Sequence, residues 1–103
     1  MNVHLLHNHW IHSHEEDTAT ERIYRPAGFP FPRSRGRASF ELRPDGTLID
    51  HPIGPADGAG SVEGRWRIQE DGTLEMFDAT GTEAKRVLRI AFVEEDRLGI
   101  ETN

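Results

Sequence analysis

Residues 37–53, RASFELRPDGTLIDHPI, decide the architecture. From Arg37 to Arg43, Ala38, Phe40 and Leu42 form an apolar face, and Arg37, Ser39, Glu41 and Arg43 form a polar one. A two-residue period is the mark of a strand with one buried face. Pro44-Asp45-Gly46 then reads as a tight turn, because proline presets φ and glycine accepts the positive φ that closes the bend. Thr47 to Ile53 is the returning strand.

The same pattern repeats outward from this hairpin. Gly54 to Gly60, GPADGAG, reads as a flexible loop by composition. Val62, Gly64, Trp66 and Ile68 then alternate with Glu63, Arg65 and Arg67. Glu70-Asp71-Gly72 turns into a strand over Thr73–Phe77, and Asp78–Thr82 makes the next turn. Lys85–Val93 places Leu88, Ile90 and Phe92 on one face. After the acidic turn Glu94–Asp96, Arg97–Glu101 closes the series with Leu98 and Ile100. Upstream, Leu5–His14 reads as a first strand, and Glu21–Arg25 as a short second one that stops at Pro26, which lacks the ladder N–H. No window carries a sustained 3.6-residue apolar period, so at most one helical turn is expected, at Thr18–Glu21 or Thr82–Arg86.

About eight short strands joined mostly by tight turns predict an all-β fold, a small antiparallel up-and-down barrel, with a two-sheet sandwich as the alternative. Residues 1–103 read as one domain with a long Pro/Arg-rich loop at 26–36. Absence of cysteine excludes disulfides, thiolate metal sites and cysteine nucleophiles. A formal charge of −6 argues against a nucleic-acid or anionic-membrane partner. No stretch has signal-peptide or membrane-spanning character, so a soluble, cytoplasmic chain is expected, as a monomer or small homo-oligomer.

Gly64-Arg65-Trp66, followed by strand and the turn Glu70-Asp71-Gly72-Thr73, resembles the Gly-x-Trp strand of lipocalin-like (calycin-type) β-barrels, in particular small bacterial domains of that type. The resemblance implies a barrel whose interior holds one small apolar or amphipathic molecule. An eight-stranded barrel is equally able to be filled by its own side chains, and at 103 residues a filled or shallow barrel is the expectation of the two.

Two stretches carry candidate chemistry. His12 and His14, two apart on the expected first strand, would project from one face with Cα atoms about 6.6 Å apart. Trp10 and Glu16 share that parity. Two histidines and a carboxylate with one open position form the ligand set of many catalytic zinc sites, so His12, His14 and Glu16 are candidates for zinc or another divalent metal. Without metal they would serve as acid–base groups of a small isomerase or hydrolase; surface or hydrogen-bonded structural histidines are the plainer reading. Ser13 projects to the opposite face. His51 stands alone in the sequence.

From Arg22 to Phe40 the chain holds five arginines and no acid. Arg33, Arg35 and Arg37 surround Gly36 and suit bidentate capture of a carboxylate or phosphate. Phe29 and Phe31 would form an apolar cover, with Tyr24, Trp10 and Trp66 lining the interior. Arginines paired with Glu15–Asp17 or Glu41, and a loop that only plugs the barrel, are the structural alternative. Three function classes follow: a binding module for an acidic or amphipathic small molecule without a cofactor, a small enzyme using His12, His14 and Glu16, and an assembly domain without a small-molecule site.

Overall fold

The computed structural model describes residues 2–33, 36–51 and 61–102. Among them eight strands form: β1 (His9–His12), β2 (Glu21–Pro26), β3 (Ser39–Leu42), β4 (Thr47–His51), β5 (Val62–Ile68), β6 (Thr73–Phe77), β7 (Ala84–Val93) and β8 (Leu98–Glu101). They close into a barrel in the order β1-β2-β8-β7-β6-β5-β4-β3, with every pair antiparallel. The alternation thus gives the expected barrel rather than a sandwich. Gly54–Gly60 and the last two residues of the expected strand Thr47–Ile53 lie outside the described residues. No helix among the described residues is long and apolar enough to cross a membrane.

Strands β3 to β8 form a meander, and the first hairpin enters it reversed: β2 pairs with β8, and β1 pairs with β3. Consequently β2 and β3 flank β1 and run in the same direction. Residues 27–38 must therefore carry the chain back past β1, and such a crossover needs about a dozen residues. The length of the Pro/Arg-rich segment is a consequence of strand order.

Both hairpin turns form by one mechanism. In each, a glycine with positive φ, Gly46 at 89° and Gly72 at 90°, follows an aspartate. The carboxylates of Asp45 and Asp71 accept the N–H of Thr47 (2.9 Å) and Thr73 (3.0 Å). These bonds start the returning strands and fix register.

Residues directly opposite on neighbouring strands share a face. Trp10 lies opposite Phe40, Leu42 opposite Leu48, Tyr24 opposite Leu98 and Ile90 opposite Ile100. All are buried and form the inner face. The end bounded by the start of β1 and the ends of β3 and β5 is shut by a 3-10 turn, Val3–Leu6. Leu6 is wholly buried there, and its carbonyl accepts the Trp10 indole N–H at 3.0 Å. Burying one leucine contributes about 1.5–3 kcal/mol, so this short turn acts as part of the core.

Three sequence expectations are corrected. Leu5–His14 is not one strand: β1 spans His9–His12 only, between the Val3–Leu6 turn and a second 3-10 turn, His14–Glu16. The strand stops because the Ser13 hydroxyl donates to Glu16 (2.7 Å) and the Ser13 carbonyl accepts the Glu16 N–H (2.9 Å), closing a local turn. Neither predicted helical turn forms: Thr18 Oγ1 caps the Thr20 and Glu21 N–H groups, and Ala84–Arg86 belong to β7. Finally, Phe92 does not share a face with Leu88 and Ile90. A register shift between Ile90 and Phe92 turns it outward over Gly99, where a Cβ would lie 2.3 Å from its ring.

Candidate functional site

The predicted histidine–carboxylate set is not brought together as drawn. His12 keeps the parity of Trp10 and stacks on Tyr24, with ring centroids 5.0 Å apart. Its Nε2 meets Asp17, not Glu16, at 3.0 Å. His14 sits in the 3-10 turn, exposed, near Glu15. Glu16 turns away: both its oxygens bind Arg25, at 2.8 and 2.7 Å, and one also accepts from Ser13. The described residues contain no group of three or more histidine, aspartate or glutamate side chains placed to hold a metal ion.

The crossover segment is built as an outer strap. Arg25 lies opposite Ile11 on the outer face, and its guanidinium covers the Phe29 ring at 4.6 Å. Phe29 meets Phe31 edge to face at 5.0 Å, and Phe31 is covered by Arg37 at 4.7 Å. Arg37 donates to Glu15 (2.8 Å), to the His12 carbonyl (3.0 Å) and to the Pro32 carbonyl (2.9 Å). The strap is thus a ladder of two rings between two guanidinium groups, each clamped to one acid of the His14–Glu16 turn. Hydrogen bonding to Arg37 holds the Glu15 carboxyl down to about 2, and hydrogen bonding to Arg25 holds Glu16 to about 2 as well. Arg33 is exposed, and Arg35 lies outside the described residues.

Of the predicted lining residues, Trp10 is wholly buried at the shut end. Trp66 packs against the core, with its indole N–H on the Arg43 carbonyl at 2.8 Å. Tyr24 lines a cavity.

At the other end of the barrel, where β4 and β6 end and β5 and β7 start, no closing turn like Val3–Leu6 forms among the described residues, and residues 52–60, which join β4 to β5, lie outside them. A cavity of about 400 Å³ lies there, with Leu48, Val62 and Met76 as its apolar surface and Asp50, Lys85 and Arg86 around it. Gly64 lines it too: a Cβ at this position would lie 2.2 Å from the Phe77 carbonyl oxygen, so the close approach of β5 and β6 needs glycine. A second cavity, of about 500 Å³, lies where β7 and β8 diverge, and Tyr24, Arg22, Leu88 and Ile100 line it. In β7, Ala84 and Arg86–Leu88 pair with β6, Lys85 is the extra residue at a register shift, and none of them pairs with the described residues of β8.

Most arginines away from this end are paired, although Arg33 and Arg65 have no ion pair among the described residues. Arg25, Arg37, Arg43, Arg67, Arg89 and Arg97 each meet a carboxylate. Arg22 and Lys85 meet none among the described residues, and the polar contact of Arg86 is with Met76 Sδ at 3.2 Å. Register puts Arg22 opposite Ile100 and Arg86 opposite Met76, hence on the inner face. Both act electrostatically on the Tyr24 hydroxyl, as do Asp17 and Asp50 in the opposite sense. Burial pushes its pKa up, against a smaller opposing pull from Arg86 and Arg22, so it remains a neutral donor.

None of Asp50, Lys85 or Arg86 stood out as a candidate in the sequence. A signal was nevertheless present: Asp50 follows Leu48 by two, Arg86 precedes Leu88 by two and Arg22 precedes Tyr24 by two, so each charge occupies a position that alternation assigns to the interior. On the outer wall the fold also joins His51 to His9, with rings 5.2 Å apart, and His9 Nε2 lies 3.0 Å from Ser39 Oγ. Burial, then the neighbouring His51, lowers the His9 pKa. No family model, curated protein or solved structure matches the chain.

Proposed function

We propose that the protein is a small-molecule binding module that takes an amphipathic guest with an acidic group at the barrel end where β4 and β6 finish. One observation carries this reading: a cavity with an apolar surface of Leu48, Val62 and Met76 is lined by Arg86, an exposed arginine on the inward register of β7 that has no carboxylate partner among the described residues. Cavities of this size, mostly apolar with a few placed polar groups, are the usual form of a ligand site. The resemblance to lipocalin-like (calycin-type) barrels agrees with it, since an eight-stranded barrel has room for one small ligand.

The head-group residues in this reading are Arg86 and Lys85, with Arg22 and the Tyr24 hydroxyl beside the second cavity. Arg37 is committed to Glu15 and would have to break that pair to serve. Phe29 and Phe31 stabilise the strap and do not cover the mouth.

Octanoate supplies the test, by calorimetric titration of the full chain. Saturable 1:1 binding is expected, with affinity lowered about tenfold by Arg86→Gln, the size of one lost charge-assisted hydrogen bond. Absence of binding, or an affinity indifferent to Arg86→Gln, would overturn the reading.

A further inference from the structure

We infer that the guest at the mouth is a zwitterion, an amino-acid-like molecule carrying an ammonium group as well as its acid. The inference rests on the binding reading above and narrows it. Asp50 lies opposite Phe40 and Val62, which places it on the inner face of β4. It is half-buried, and its carboxylate makes no hydrogen bond or ion pair with any described residue. It lines the same cavity as Arg86 and Lys85.

Opposite charges therefore share one cavity without meeting. Elsewhere in this chain a carboxylate beside a guanidinium is closed upon, as Arg25 closes on Glu16 at 2.7 Å. A partly buried carboxylate left without a partner is costly. Strands β4 and β7 are three inter-strand spacings apart, each about 4.8 Å. Among the described residues the two charges form no ion pair across that gap. An ammonium and a carboxylate on one carbon atom fill such a gap, the carboxylate toward Arg86 and Lys85 and the ammonium toward Asp50. A simple anion would meet the repulsion of Asp50, and a simple cation that of the two bases.

Among the described residues, Asp78 and Glu63 also line the cavity but are placed differently from Asp50. The Asp78 carboxylate is held by its own turn, accepting the Thr80 hydroxyl at 2.6 Å and the Gly81 N–H at 3.0 Å. Glu63 lies opposite Ile49, on the outward parity of β5. The rest of the guest would rest on Leu48, Val62 and Met76, which calls for an apolar side group.

Three matched probes test the inference by calorimetry on the full chain: L-phenylalanine, 3-phenylpropanoate, which lacks the ammonium, and 2-phenylethylamine, which lacks the acid. Phenylalanine is expected to bind at least about tenfold more tightly than either relative, the discrimination one unpaired polar group supplies. Asp50→Asn is expected to erase the preference over 3-phenylpropanoate, and Arg86→Gln the preference over 2-phenylethylamine, with melting temperatures of both variants close to that of the unaltered protein. The inference alone is overturned if 3-phenylpropanoate matches phenylalanine, if Asp50→Asn leaves their ratio unchanged, or if octanoate binds and phenylalanine does not. Silence toward all three probes and octanoate removes the inference together with the binding reading.

Discussion

The described parts of the strap, residues 27–33 and 36–38, and the barrel end where β4 and β6 finish both lie beside arginines, yet they use them in opposite ways. On the strap, Arg25 and Arg37 are saturated: each binds a glutamate, a backbone carbonyl and an aromatic face. At the mouth, Arg22, Lys85 and Arg86 have no acidic partner among the described residues, and Asp50 has no basic one. Density of arginine in the sequence marked the strap, whereas the mouth is marked by charges that line a cavity and have no partner among the described residues. An arginine whose donors are spent on its own chain builds structure, and one whose donors remain aimed into a cavity is available to a guest.

The sharpest way to break the comparison is Gly64→Ala. The added methyl collides with backbone, not with a movable side chain, so β5 and β6 must separate at the mouth. A loss above the usual ~0.5–3 kcal/mol for single substitutions is expected, read by urea unfolding. A variant of normal stability would mean that the mouth is not held by this close approach.

Arg25→Ala comes next. It removes a two-point pair to Glu16, a bond to the Asp96 carbonyl at 3.1 Å and the cover over Phe29. A loss of about 1–2 kcal/mol is expected, because hydrogen bonds to charged groups are worth more than neutral ones. Octanoate affinity should stay as it was. A stable variant with impaired binding would reverse the roles assigned to strap and mouth.

Acid supplies a third, graded probe. The Glu15 and Glu16 carboxyls sit at about 2 in the folded chain against an ordinary 4.5. Because the folded values lie below the unfolded ones, their stabilisation is complete above about pH 4.5 and is lost as pH falls toward 2. Melting temperature should therefore decline through that window, and Glu16→Gln should flatten part of the decline. An unaltered slope in that variant would detach Glu16 from the strap.

Arg86→Gln is expected to have the smallest effect on stability, within about 0.5 kcal/mol by the same urea measurement, as for a surface change that breaks no ion pair. Together with its expected effect on octanoate, this sets the mouth apart: large in binding, small in folding.

The sequence by itself determined the strands and their inner faces wherever alternation was unbroken. From Ser39 to Phe77 the pattern of Phe40, Leu42, Leu48, Trp66, Leu74 and Met76 and the two Asp-Gly turns gave the observed hairpins, because a two-residue period and a positive-φ glycine are local properties. Local rules failed where a contact distant in sequence intervened. Ser13 ends β1 through a turn that Arg25 and Arg37 secure from 12 and 24 residues away, and a bulge reverses the parity of Phe92 against Gly99. Only the tertiary structure decided which charges are spent. Arg37 and Arg86 are equal as letters, and the reversed first hairpin lays one against Glu15 on the outer wall while the meander leaves the other facing a cavity beside Asp50. Pairing of charges across strands depends on strand order, which arises from the closure of the whole barrel and not from any one segment of it.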